Sequence, residues 1–361
     1  MMKMKMHKIE FHNREKEIKE IMSTLDTRPS LITFIYGPIN SGKTELINQI
    51  ISQLPEEYAV FYVNLRGRFI KSYEEFLDVL FEIDEERKIE NVKEYAKAIL
   101  KDLKIIGGIP IPLNLFEKMF ERKERSKDVF KYIETFIVEI SRKHVPVLIL
   151  DELQVIGDIK IDDLLIYKLF NFFTRLTKEL HLCHVFAVSS DSLFIERVYS
   201  EAMLQGRCRY LLVDDFDEAT TMDFLEKQGF NNEEKELAWE YCGGKPVCLV
   251  ETINSENREK KIKEMLEIRK GQIKQRIGVL KIVSKRILFE GEEIEIKYEN
   301  TIEILDRFLD EESYAYEVIT PEITYLVNEN ILFIDPVKCI IKPQSRLDLL
   351  AIREVMRERK M

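Results

Sequence analysis

Residues 37 to 44 read Gly37-Pro38-Ile39-Asn40-Ser41-Gly42-Lys43-Thr44, set between the apolar run Leu31-Ile32-Thr33-Phe34-Ile35-Tyr36 and the helix-like Glu45-Leu46-Ile47-Asn48-Gln49-Ile50-Ile51. A glycine-bearing loop of this spacing between a strand and a helix is a phosphate cradle. Gly37 and Gly42 let the backbone bend closely around an anion, so that successive N–H groups and a helix N-terminus point at it. Lys43 adds a point charge for β and γ phosphates. Thr44 adds a hydroxyl for Mg²⁺, a hard cation that takes few protein ligands and keeps several waters. The eight residues Gly37, Pro38, Ile39, Asn40, Ser41, Gly42, Lys43 and Thr44 are therefore the candidate site for a nucleotide with Mg²⁺.

Around this loop, the first 212 residues alternate strand-like runs with helical patterns, which predicts an α/β fold with a parallel sheet covered by helices. Strands are expected at 31–36, 58–65, 146–150, 184–189 and 210–213, and their near-continuous apolarity fits burial on both faces. Helices are expected at 14–25, 44–53, 73–82, 126–143 and 162–180, where apolar residues recur three and four apart. Gly107-Gly108-Ile109-Pro110-Ile111-Pro112 cannot be a helix interior and reads as an insertion or loop beside the nucleotide.

The strand Pro146-Val147-Leu148-Ile149-Leu150 ends in Asp151-Glu152. Acids at the carboxyl end of a parallel strand lie where open α/β sheets bind ligands. Asp151 would hold Mg²⁺ together with Thr44. Glu152, turned elsewhere by strand alternation, would orient and deprotonate an attacking water. The neighbouring strand ends in Ser189-Ser190-Asp191, where Ser189 could sense the γ phosphate. Among Arg175, Arg197, Arg207 and Arg209, Arg207 is the first choice for a cation offered to the transition state. His181, Cys183 and His184 crowd one strand start in conflicting directions and do not make a metal site.

Five cysteines form no C-x-x-C pair, and the basic stretch Met1 to Lys8 is followed by charged residues rather than an apolar segment. Reduced thiols and a cytoplasmic location are expected. No uninterrupted apolar stretch has bilayer-spanning length, so no membrane role is expected. A formal charge of −10 disfavours indiscriminate nucleic-acid binding. That net value hides a segregation: residues 258–286 hold eleven Lys or Arg against three Glu, and residues 290–322 hold twelve acids against two bases. The basic stretch would pair with that acidic surface or with a protein, or else hold DNA. After residue 214 the alternation gives way to several helices at 217–285. A final section mixes short helices with a hairpin-like pair of strands around Asp335-Pro336.

Taken together, these motifs resemble the archaeal ATPases of the STAND branch of the AAA+ superfamily, over nearly the whole chain. Phe11-His12-Asn13-Arg14-Glu15-Lys16-Glu17 looks like the opening box of that family, which implies that Arg14 lies near the nucleotide. Gly37 to Thr44 matches its Walker A loop, Leu148 to Gln154 its Walker B segment, Ser189-Ser190 its sensor 1 and Gly206-Arg207 its Gly-Arg pair. Cys242-Gly243-Gly244-Lys245-Pro246 is similar to the lid motif, implying nucleotide contacts by Lys245 and Pro246. No arginine follows in Val247-Cys248-Leu249-Val250-Glu251, a departure that favours switch-type relatives over ring-forming motors. The resemblance implies three parts: a P-loop ATPase domain at 1–212, a helical lid at 213–285 and a winged-helix-like domain at 286–361. It also implies a slow ATPase that couples its nucleotide state to a protein partner or to self-association. A DNA-binding ATPase is the alternative, and a module using ATP only as structural glue is disfavoured by Glu152.

Overall fold

In the computed structural model, residues 9–67, 70–100, 105–120, 125–156, 160–161, 163–200 and 204–360 are described. The basic N-terminal stretch and residue 162, the first of one expected helix, lie outside them. The first half runs α1 (Glu15–Leu25), β1 (Ile32–Tyr36), α2 (Lys43–Gln53), β2 (Tyr58–Asn64), α3 (Tyr73–Leu80), β3 (Phe81–Asp84), α4 (Val92–Ile99) and β4 (Ile105–Ile106). It continues through β5 (Ile109–Pro112), α5 (Leu113–Phe120), α6 (Arg125–Ile140), β6 (Val145–Asp151), β7 (Lys160–Ile161) and β8 (Asp163–Leu164). Then come α7 (Leu165–Thr174), extended by a wider helical turn to Glu179, β9 (His184–Ser189), α8 (Ser192–Ser200) and β10 (Cys208–Leu212).

Six strands form one sheet in the order β10-β1-β9-β6-β2-β4, and every neighbouring pair is parallel. Its two faces follow directly from strand alternation. Ile32, Phe34, Tyr36, Phe61 and Val63 enter one apolar cluster with α6 and α7, while Ile35, Val60 and Val188 enter the other with α1 and α2. Apolar residues are needed on both sides, which is why these strands read as continuous hydrophobic runs.

One local expectation fails. Ile109–Pro112 is a strand, paired in parallel with β3, and Ile109 and Ile111 are fully buried. It follows β4, the sheet edge four strands away from β1, so it is not beside the phosphate loop. Proline is tolerated there because the pair has only two strands, so one side of each needs no ladder donor.

The second half contains α9 (Glu218–Lys227), α10 (Asn232–Cys242), α11 (Pro246–Ile253), α12 (Arg258–Val279) and a hairpin of β11 (Arg286–Phe289) and β12 (Glu292–Glu295). It ends with α13 (Tyr298–Asp306), β13 (Tyr314–Ala315), α14 (Pro321–Asn328), β14 (Leu332–Asp335), β15 (Ile340–Pro343) and α15 (Arg346–Lys360). The hairpin around Asp335-Pro336 forms as expected, and β13 adds to it on the β15 side. Helix starts are set by side chains that accept otherwise unpaired N–H groups: Asp217 for α9, Asn231 with Glu234 for α10, and Asn257 for α12. One apolar cluster runs from Phe224 to Met356, so the helices and the C-terminal section share a core.

Helix α12 buries only Ile262, Leu266, Ile273 and Ile277, a stripe narrow enough to leave most of its circumference to charge. The partners of that charge are nearer than expected. Lys270 pairs with Glu267, Glu354 and Glu358, Lys274 with Glu358, Arg269 with Asp348, and Arg276 with Glu329. The charges of α12 are thus met by its own helix, by α10, α11 and α15 and by Glu329, while Arg286, beyond the helix, pairs with Glu293 of the acidic stretch.

Candidate functional site

Strand β1 delivers the chain to the carboxyl edge of the sheet, where it turns through the loop into α2. Asn40 and Gly42 adopt left-handed backbone conformations, with φ of 59° and 91°. At Gly42 this conformation, rather than crowding, is what favours glycine. Gly42 precedes the first residue of α2, and no side chain caps that terminus. Its free N–H groups therefore face the loop, an arrangement suited to an anion.

Lys43 is buried, and its Nζ donates to the carbonyls of Gly37 at 3.0 Å and Pro38 at 2.8 Å. Burial, and then the nearby Lys245 cation, pulls its pKa down to about 8, while Glu152 and Asp151 oppose that shift. Thr44 donates its hydroxyl to Asp151 Oδ2 at 3.0 Å, and Tyr62 donates to the same oxygen at 2.9 Å. Burial raises the Asp151 pKa, and these two hydroxyls act against it. Hydroxyl and carboxylate oxygens are the hard donors that Mg²⁺ accepts, so the pair Thr44 and Asp151 fits this ion. Tyr62 was not visible as a site residue, because an aromatic in a buried strand reads as core.

Glu152 has a left-handed φ of 60°, which swings it away from the line of β6. Its Oε2 accepts from Gln154 Nε2 at 2.5 Å and from Ser190 Oγ at 3.2 Å. Ser189 Oγ in turn donates to Gln154 Oε1 at 2.8 Å. Ser189 therefore reaches Glu152 through Gln154, whereas Ser190 touches it directly.

Arg14 is buried, and its Nη2 donates to the Ser41 carbonyl at 2.7 Å while Nη1 pairs with Glu17. Its guanidinium carbon lies 4.6 Å from the centre of the Phe216 ring. Next to it, His12 packs against Phe216 and Phe224, and Asn13 Nδ2 donates to Thr220 Oγ1 at 2.7 Å. The opening box thus joins the phosphate loop to the start of α9.

Across the loop, Lys245 Nζ pairs with Asp215 at 2.9 Å and donates to the Ile39 carbonyl at 3.0 Å. Gly244 packs on Phe216, so that a Cβ there would come within 1.8 Å of the Phe216 carbonyl oxygen. Pro246 is the first residue of α11, where the missing N–H is harmless. Of this motif it is Lys245 that reaches the loop.

Arg207 requires a correction. Its carbonyl accepts from Ile32 N–H at the beginning of β1, whereas the phosphate loop leaves the other end of that strand. Five residues at about 3.3 Å each put roughly 16 Å between them, so Arg207 makes no phosphate contact within its own chain. Arg175 pairs with Glu134 and Glu179, and Arg209 bonds Thr24. Among the described residues no group of three metal-ligating His, Cys, Asp or Glu side chains occurs, and no helix is long and apolar enough to cross a membrane. Sequence reading also missed Gln344, whose Oε1 accepts the Ile39 N–H at 3.1 Å from the far end of the chain.

A family model described as an ATPase domain predominantly from Archaea matches residues 11–252. A second, described as the C-terminal domain of MJ1010-like ATP-binding proteins, matches residues 259–356. The chain is 46% identical to the uncharacterized ATP-binding protein MJ1659 of Methanocaldococcus jannaschii, covering 97% of this chain and 98% of that protein. It is 47% identical to the uncharacterized ATP-binding protein PYRAB06260 of Pyrococcus abyssi, covering 96% and 99%. Among solved structures, the Walker-type ATPase PABY2304 of Pyrococcus abyssi aligns over 95% of this chain and 96% of its own, with a TM-score of 0.58 and 16% identity. That likeness supports the fold.

Proposed function

The chain belongs to the predominantly archaeal ATPase family, and we propose from that premise that it is a Mg-ATP-binding switch of the STAND type with slow hydrolysis. The observation that carries this reading is the convergence of Lys43, the Thr44–Asp151 pair and Glu152 at one end of the sheet. The loop amides and Lys43 would bind the phosphates, and Arg14 and Lys245 would hold the loop from its two sides. Mg²⁺, held by Thr44 and Asp151, would supply charge neutralisation at the phosphate oxygens. Glu152 would orient a water and take its proton, with Gln154 and Ser190 fixing the carboxylate and Ser189 fixing Gln154.

Lys245 is the nearest substitute for the arginine that α11 lacks. It sits on the segment between α10 and α11 and contacts the loop, so movement of these helices would change the charge near the phosphates. We assign residues 1–212 to the ATPase domain, 213–285 to a lid and 286–361 to a winged-helix-like unit that would report the nucleotide state to a protein partner or a second copy. The DNA-binding alternative is weakened by the neutralised α12 charges. Calorimetric titration with Mg-ATP, followed by single-turnover hydrolysis, tests the reading. Micromolar binding with slow phosphate release is expected. No binding by the folded chain would overturn it.

A further inference from the structure

The nucleotide reading leaves open why residues from the end of the chain grip the phosphate loop. Tyr36, the last residue of β1, donates its hydroxyl to Asp335 Oδ1 at 2.8 Å, and both residues are buried. Its ring lies 6.5 Å from that of Phe333, nearly parallel at 15°, and Phe333 joins the apolar cluster of the large sheet rather than that of its own neighbours. Three residues further, Ile39 donates its N–H to Gln344 Oε1. Gln344 is itself fixed, with Nε2 donating to the Leu332 carbonyl at 2.8 Å and its backbone N–H to Ile331 at 3.1 Å. Since the Ile39 carbonyl accepts from Lys245, both backbone polar groups of this loop residue are held by side chains from outside the sheet.

Other bonds keep the hairpin in the same seat. Ile334 N–H donates to Ser192 Oγ at 3.2 Å, and Lys342 Nζ pairs with Asp214 at 2.5 Å. Beside Gln344, a polar cavity of about 210 Å³ lined by Gln154, Ser190, Asn328 and Asn330 brings the C-terminal section up to the Glu152 network.

We propose that the β14–β15 hairpin with Gln344 is a positioning element of the nucleotide site, holding the phosphate loop in its anion-binding shape from outside the sheet. The proposal rests on the nucleotide reading above. A loop whose amides must converge on phosphates loses conformational freedom on binding, and contacts that fix it beforehand reduce that loss. Linkage makes the effect reciprocal: nucleotide strengthens the seating of the hairpin by as much as the seating strengthens nucleotide binding. Gln344 and Tyr36 are positioning residues, acting through Ile39 and Gly37 respectively.

The test uses the full chain with Gln344→Met and, separately, Tyr36→Phe. Methionine fills the volume while losing both side-chain bonds. Phenylalanine removes one hydroxyl and leaves Asp335 the N–H groups of Val337 and Lys338. Titration with Mg-ADP and Mg-ATP is combined with amide exchange across residues 332–343, with and without Mg-ADP. In the wild type, nucleotide should slow exchange in the hairpin. Each variant should bind nucleotide about fivefold or more weakly, the scale of one lost hydrogen bond, and show less of that protection. A purely structural role would lower the melting temperature yet leave the affinity of the folded protein unchanged. Wild-type affinity in a folded Tyr36→Phe variant, or hairpin exchange indifferent to nucleotide in the wild type, overturns the proposal. A wild-type chain that binds no nucleotide overturns the parent reading instead, and this proposal with it.

Discussion

Lys43 and Lys245 lie far apart in sequence and meet at one loop, whereas Lys270 and Lys274 are neighbours on one turn of α12 and face carboxylates. The first two are buried and bond the carbonyls of Gly37, Pro38 and Ile39, and Lys245 also pairs with Asp215. The second two are held by Glu267, Glu354 and Glu358. In the linear sequence the α12 stretch looks the stronger anion site, because its charge is dense. On α12 every turn of this stretch brings a carboxylate within reach. Lys43 bonds carbonyls instead and keeps its charge for a phosphate, whereas Lys245 shares its charge with Asp215.

The largest effect expected lies at the sheet end. Glu152→Gln should keep ATP affinity and slow single-turnover hydrolysis at least about a hundredfold, the scale of a lost general base. Hydrolysis at the wild-type rate would remove Glu152 from the mechanism. Lys43→Ala should retain the fold and weaken Mg-ATP binding at least about tenfold, as for a lost charge-assisted bond. Unchanged affinity by calorimetry would erase the contrast between the two lysine sets.

A smaller effect comes from pH. With its pKa near 8, Lys43 in the free protein loses its proton as pH rises through that value, and phosphates favour its charged form. Nucleotide affinity should therefore fall as pH goes from 7 to 9, by up to about tenfold per unit above 8, with proton uptake on binding. The carboxylates around Lys270 raise its pKa, so α12 stays charged throughout. An affinity flat over this range would place the phosphates away from Lys43. The smallest effect belongs to α12. Replacing Lys260, Lys263, Lys270 and Lys274 by Gln should leave nucleotide affinity unchanged and lower the melting temperature only slightly, because exposed ion pairs contribute little to stability. Tight, salt-sensitive DNA binding that disappears in this variant would reverse the comparison.

The phosphate loop, Asp151 and Glu152 were legible because each depends on a short spacing next to a strand, and strand direction then puts them together. The five principal strands were legible because burial on both faces leaves a continuous apolar run. Arg207 could not be judged from its motif, since a residue before a strand and one after it read alike until the pairing of β10 with β1 shows which end each occupies. Gln344 was invisible for a different reason. A single glutamine after a strand carries no pattern, and its partner Ile39 is contacted through a backbone N–H that any residue but proline supplies. The Ile109–Pro112 strand was hidden by its prolines, which signal a loop unless the strand needs no ladder donor on one side.

The apolar cluster from Phe224 to Met356 has a consequence for how the molecule comes apart. Phe224, Leu225, Cys242 and Leu249 of α9 to α11 are packed in the same core as Ile262 and Leu266 of α12 and Ile352 and Met356 of α15, so these helices share one hydrophobic interior. The two family matches divide the chain between residues 252 and 259, yet a cut there would open this core to water. Inheritance and cooperativity thus follow different borders. Calorimetric melting should show residues 218–360 unfolding as a single transition, and a fragment beginning at residue 259 should expose apolar surface and self-associate.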